Sequence, residues 1–180
     1  VSPYYFSHYT ALEIHGLSMR AVNTLFLTAP KRHRPFEYRG YRFKFVTVLP
    51  RRFFGFEERP YAGQQVVVSD RERTLIDVMD RPQYAGGWGE VVECLQDYGE
   101  VDWERVLAYL ERWGKKVVAR RLGYVMRDVL GTDVPKEALE RLRERWVDRV
   151  KLPFTRGRRG HYVREWGVLV DDEVFKESLV

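Results

Sequence analysis

Lys31, Arg32, His33 and Arg34 form one run, "KRHR", held between Pro30 and Pro35. Arg42 and Lys44 follow in "YRFKF", and Arg51 and Arg52 come directly after Pro50. Phosphate is held by cations presented in a row on a stiff support, and proline-braced loops and strands supply such support. In the strand that carries Arg42 and Lys44, Tyr41, Phe43 and Phe45 occupy the alternate positions. Period-two alternation puts the aromatics on one face, here expected to be the core, and the cations on the other. Backbone binding without base reading is the chemistry this predicts; the plainer alternative is a solvated basic surface. A second basic stretch, "TRGRRGHY", places Arg156, Arg158 and Arg159 among glycines with no acid before Glu165. A loop of that composition either closes on phosphate or stays solvated.

Other chemistries find little material. The chain has no G-x-x-x-x-G-K-[ST] phosphate loop, no G-x-S-x-G elbow and no H-E-x-x-H helix. His8, His15, His33 and His161 are far apart and lack cysteine pairs nearby, so neither a metal site nor a cofactor is expected. His15 falls at a predicted helix C-terminus, where the dipole favours its charged form. Cys94, the single cysteine, reads as a small buried apolar residue and excludes an internal disulfide, which fits a cytoplasmic protein. An enzyme is not expected. The rival is a metal-dependent nuclease using Asp70, Glu72 or Asp77. Against it, Arg73, Asp77 and Arg81 are spaced i, i+4, i+8, which is an ion-pair ladder, and no Asp/Glu-x-Lys triplet falls on a predicted strand.

The elements that position these residues follow from pattern. "SHYTALEIHG" predicts a short helix capped by Ser7 and stopped at Gly16, and "NTLFLT" (23–28) a strand. "FEYRGYRFKFVTVL" predicts a hairpin turning at Arg39-Gly40, and "ERPYAGQQVVVSD" another turning near Gly63. From Ser69 the pattern becomes helical, with Ser69 and Glu72 at capping-box spacing. "GGWG" loosens the chain, and a helical region then runs to Gly99. Asp102 caps a helix striped by Trp103, Val106, Leu107, Leu110 and Trp113; further helices cover about 115–130 and the stretch after Pro135, with Leu139, Leu142 and Trp146 inward. On that last helix, Glu140–Arg143, Arg141–Glu144 and Arg145–Asp148 are spaced for neutralising i, i+3 pairs. Alternation through Tyr162, Arg164, Trp166, Val168 and Val170 predicts a closing strand.

Strands, then helices, then a strand define an α+β protein. A mixed or antiparallel sheet is expected from the N-terminal half and the C-terminal strand, packed with a helical bundle from the middle of the chain. At 180 residues the length suits one domain or two small ones; read as one domain, it is strand-rich over 1–68, helical over 69–150, and closed by a basic loop and strand over 151–180. No apolar run is long enough to cross a membrane. Charge is segregated: residues 1–60 carry 10 Lys and Arg against 4 Asp and Glu, residues 61–140 carry 11 against 15, and 141–164 carry 9 against 2. Such segregation speaks of acidic partners. With 24 Arg, 7 Lys, one Asn and four Gln, the composition leans towards a thermophilic source. The chain starts with Val1 and enters packed structure almost at once, as an excised fragment would.

"YYFSHYTALEIHGL", "TAPKRHRP" with "RGYRFKFVTV", "RFFGFEE" and "VSDRERTLIDVMDRPQYAGG" occur in that order. Together they resemble the AbiEi antitoxins, the antitoxin and transcriptional-regulator halves of type IV (abortive infection) toxin–antitoxin pairs. The likeness covers about residues 2–90, and more weakly "KKVVARRLGYVM" (115–126). It implies a winged helix-turn-helix that binds the operon's own promoter DNA, followed by an effector domain that neutralises a nucleotidyltransferase-like toxin without requiring a stable complex. These residues match the effector domain and nothing in them resembles the winged helix. The resemblance carries functional basic positions onto Lys31, Arg32, Arg34, Arg42 and Lys44, and one acidic position onto Asp77.

Overall fold

A computed structural model describes residues 3–18, 20–144, 152–153, 160–171 and 173–176. The fold is α+β, in two compact units, residues 1–86 and 87–180. The division falls within "GGWG" and not at Ser69, because the helix after Ser69 packs on the strands and helix before it.

The first unit holds β1 (Tyr5–Phe6), α1 (His8–Ile14), β2 (Thr24–Ala29), β3 (Phe36–Tyr38), β4 (Tyr41–Thr47), β5 (Phe56–Tyr61), β6 (Gln64–Ser69) and α2 (Arg71–Asp80). The strands form one mixed sheet in the order β3-β4-β2-β1-β6-β5. Both hairpins turn as the sequence predicts, through Arg39-Gly40 (φ 49° and 81°) and Ala62-Gly63 (φ 49° and 76°). Two successive positive φ angles match the right-handed twist of the flanking strands. β1 lies between the hairpin-bearing halves, antiparallel to β2 and parallel to β6.

β2 and β4 run parallel side by side, from Thr24↔Arg42 to Ala29↔Thr47, while β3 pairs with the far edge of β4. The segment 30–35 must therefore cross β4 to reach β3. That crossing places the KRHR run.

α1 stops at Gly16 (φ 73°), and Ser7 stands at its N-cap position without capping it. The Ser7 hydroxyl instead accepts from Thr28 Oγ1 (2.8 Å) and lies 2.9 Å from His8 Nδ1. α2 is capped by Asp70, whose carboxylate accepts from the Arg73 N–H at 2.7 Å. The Ser69–Glu72 box does not form, because Ser69 ends β6 and its hydroxyl lies 2.8 Å from Thr74 Oγ1.

The second unit contains α3 (Trp88–Leu95), α4 (Trp103–Trp113), α5 (Lys116–Gly123), α6 (Lys136–Glu144), β7 (Leu152–Pro153), β8 (His161–Val163), β9 (Val168–Val170) and α7 (Glu173–Lys176). α4 is capped by Asp102, ends at Gly114 (φ 69°) and buries all five residues of its apolar stripe. α5 passes into a wider π turn over Tyr124–Val129. In α6, Leu142 is buried and Leu139 half-buried, and Trp146 lies outside the described residues.

The closing strand is reorganised. Residues 161–170 form a hairpin that turns at Gly167 (φ 62°), and with β7 they build a separate sheet in the order β7-β9-β8. Arg164 and Trp166 sit in the turn, so the alternation spans two short strands. Arg141 pairs with Glu111 (2.9 Å) and Arg143 with Glu165, both outside the helix; the Glu144 side chain, Arg145 and Asp148 lie outside the described residues. Among the described residues, no helix is long and apolar enough to cross a membrane.

Candidate nucleic-acid interface

The KRHR run is anchored by its histidine. The His33 ring packs on Phe45 (centroids 4.8 Å apart), so the loop crosses the sheet on the face that bears Phe43 and Phe45. Lys31, Arg32 and Arg34 on either side are exposed and make no ion pair or hydrogen bond among the described residues. Pro30 and Pro35 fix φ at the two ends, which limits the freedom lost when a ligand orders the loop.

Arg42 and Lys44 do not join this array. Arg42 and Lys44 point to the opposite face by alternation: Lys44 Nζ stands 6.0 Å from the centre of the Phe26 ring, which packs towards His8 and Tyr84. Arg42 is also paired, its Nε and Nη2 donating to Glu37 Oε1 at 3.0 and 2.8 Å. Arg51 and Arg52 lie on a 3₁₀ turn (Pro50–Arg52) just past β4. The Ala29↔Thr47 pairing brings that turn to the end of the sheet from which the KRHR loop departs. Arg51 is exposed, whereas Arg52 is half-buried and its carbonyl accepts from Arg73 Nη1 at 2.8 Å. Burial, followed by the Arg51 charge, pulls the Arg52 guanidinium below its ordinary pKa. Arg156, Arg158 and Arg159 lie outside the described residues.

The aromatic face departs most from expectation. Phe43 and Phe45 are only half-buried, and Tyr4, Phe36, Tyr38 and Tyr41 are exposed, with Tyr38 58% accessible. Phe36 stacks on Phe43 (4.6 Å, 5°) and lies 6.2 Å from Phe45. These rings, with Tyr4, Phe6, Leu27 and His33, line a groove of about 220 Å³. The face opposite the cations of β4 is thus an open aromatic surface with the basic loop along it. The pattern that could have revealed it is the hairpin "FEYRGYRFKF": cross-strand pairing puts Phe36, Tyr38, Tyr41, Phe43 and Phe45 on one side, more rings than one core face of so short a hairpin needs.

Two of the three acids of the nuclease reading have other work. Asp70 caps α2, and Asp77 is buried against Arg73. Among the described residues no three His, Cys, Asp or Glu side chains converge as metal ligands. Arg81, the third rung of the predicted ladder, pairs with Asp80 at 3.7 Å. His15 is held neutral, contrary to the helix-dipole expectation: burial pushes its pKa down, Nε2–H donates to the Ser69 carbonyl (2.7 Å), and Nδ1 accepts from Arg59 (2.7 Å). Cys94 is buried, as its helical neighbours predict.

No protein-family model matches the chain, and no curated protein matches it. It is similar in fold to a solved structure, that of the RV2827C protein from Mycobacterium tuberculosis, with a TM-score of 0.65 at 17% sequence identity. The match covers 92% of this chain and 61% of that one, so the chain spans about three fifths of that protein's length.

Proposed function

We propose that this chain is the effector part of an AbiEi-type antitoxin and transcriptional regulator of a type IV toxin–antitoxin system. In this reading it is a cytoplasmic, non-enzymatic protein that binds nucleic-acid phosphate through Lys31, Arg32 and Arg34. The observation that carries the binding role is the KRHR loop itself: three exposed cations without carboxylate partners among the described residues, on a segment pinned by His33 to Phe45. The ordered sequence blocks from "YYFSHYTALEIHGL" to "VSDRERTLIDVMDRPQYAGG" support the family assignment. The partners are then the operon's promoter DNA, engaged together with a winged-helix region, and the nucleotidyltransferase-like toxin as the functional target.

The test is retardation of duplex DNA across a series of salt concentrations. Binding should fall steeply as salt rises, and changing Lys31, Arg32 and Arg34 together to Ala should flatten that dependence by about one unit of slope per lost contact. A triple variant that binds like the parent at every salt concentration refutes the role. An acidic toxin surface is the second target these cations fit; the triple variant would then lose rescue of growth against the toxin while keeping its DNA affinity.

A further inference from the structure

We infer that the aromatic groove beside the KRHR loop seats an unpaired base of single-stranded nucleic acid, a reading that rests on the phosphate-binding role proposed above. The groove and the cations belong to one feature. Arg32 and Arg34 are the immediate neighbours of His33, and the His33 ring is part of the groove wall. A nucleotide has the same layout, with a planar ring and a phosphate a short distance apart.

The floor is made for flat ligands. Phe36 and Phe43 lie parallel at 4.6 Å, and Phe36 and Tyr4 are 48% and 42% exposed. At about 220 Å³ the groove is smaller than the several hundred Å³ typical of sites that enclose whole drug-sized ligands, which suits one ring system at a time. None of its lining residues is acidic, so nothing in it repels a phosphate chain held by Lys31, Arg32 and Arg34. His33 Nε2 is buried in the wall without a hydrogen-bond partner, a polar group that an apolar occupant would leave unsatisfied. An open aromatic platform edged by cations is the arrangement that holds single strands, through stacking that tolerates any base. Duplex bases are already stacked and paired, and cannot enter.

The experiment measures binding of the full 180-residue chain to three fluorescent probes at fixed salt: a short oligothymidylate, an abasic strand of equal length, and a duplex. The parent should bind oligothymidylate more tightly than the abasic strand. Phe36→Ala should weaken oligothymidylate binding about tenfold or more and leave abasic and duplex binding unchanged. Phe36→Trp should restore it. Tyr4→Ala, at an independent exposed position, should repeat the selective loss, and thermal unfolding confirms that each variant is folded. Equal affinity of the parent for oligothymidylate and the abasic strand overturns the inference and leaves the phosphate role standing. Loss of all three probes' binding in the Lys31/Arg32/Arg34 variant, with Phe36→Ala silent, has the same meaning. No binding of any probe by the parent overturns both readings. Should Phe36→Ala abolish rescue from the toxin while every probe binds as before, the groove is a protein-docking surface and the inference fails.

Discussion

Arg73 and Asp77 form an ion pair sealed from solvent: Nη2 lies 2.9 Å from Oδ1, and the side chains are 0% and 2% exposed. The guanidinium also donates to the carbonyls of Arg52 and Phe54 and lies against the Phe54 ring, with its carbon 4.7 Å from the ring centre. One side chain of α2 thereby ties down the strand-to-strand segment that follows β4. Asp77→Ala removes the hydrogen-bonded counter-charge of the buried guanidinium and should cost about 3–5 kcal/mol, read from urea unfolding. Asp77→Asn keeps an acceptor for Arg73 Nε and should cost less. A nuclease role for Asp77 requires the opposite outcome, a stable variant that has lost only cleavage.

Stability should fall in acid, and His8 should account for much of the fall. Burial, reinforced by the charges of Arg73 and Arg81, pushes its pKa from 6.5 down to about 3. Between those values the unfolded chain holds a proton that the folded chain refuses. The contribution is fully present above pH 6.5 and is lost as pH drops towards 3, by at most about 4–5 kcal/mol. His8 also has a positive φ (53°), a conformation that Asn tolerates better than most residues. His8→Asn should therefore fold and show a flatter profile of unfolding free energy against pH over this window. A profile parallel to the parent's would exclude His8 as the source.

Two sets of cations that look equivalent in sequence should behave differently. Arg42 already shares the Glu37 carboxylate, and Lys44 stands over Phe26 on the face away from the loop. The double change Arg42→Ala with Lys44→Ala should leave the salt slope of DNA binding within about half a unit of the parent, whereas the loop triple lowers it by up to about three. Retardation assays at matched salt series check this. Equal losses from both sets would mean that the phosphate path wraps both faces.

Gly123 is closed to any side chain. A Cβ there would lie 2.1 Å from the Trp166 ring, which is 2% exposed and whose Nε1 donates to Asp128 Oδ2 at 2.5 Å. Gly123→Ala must displace that ring and should cost about 1–3 kcal/mol or more. A fall in melting temperature with a change in the near-ultraviolet signal of the tryptophans would register it. The same change at Gly16, which has open space around it but a φ of 73°, should cost only the backbone strain.

Local chemistry was readable where it is decided locally. The two hairpin turns follow from Arg39-Gly40 and Ala62-Gly63 accepting positive φ, and α4 from its stripe, its Asp102 cap and its terminating Gly114. Readings failed where a distant partner decides. Alternation assigned Phe43 and Phe45 to one face correctly but could not say whether anything covers that face. Ser69 looked like a cap until the β6 ladder claimed its backbone and Thr74 its hydroxyl. The cations of 31–52 read as one array because the strand order was unknown: only when β3 lies beyond β4 must the loop pass over the aromatic face, away from Arg42 and Lys44.

The position of β1 has a consequence for how the protein is made. Tyr5 and Phe6 leave the ribosome before either of their neighbours, yet Phe6 cannot meet Val68 until some sixty further residues have been synthesised. First of this sheet's strands in sequence, β1 can pair with β2 early, but its second edge stays open until β6 arrives. Kinetic traps in refolding should concentrate at that step.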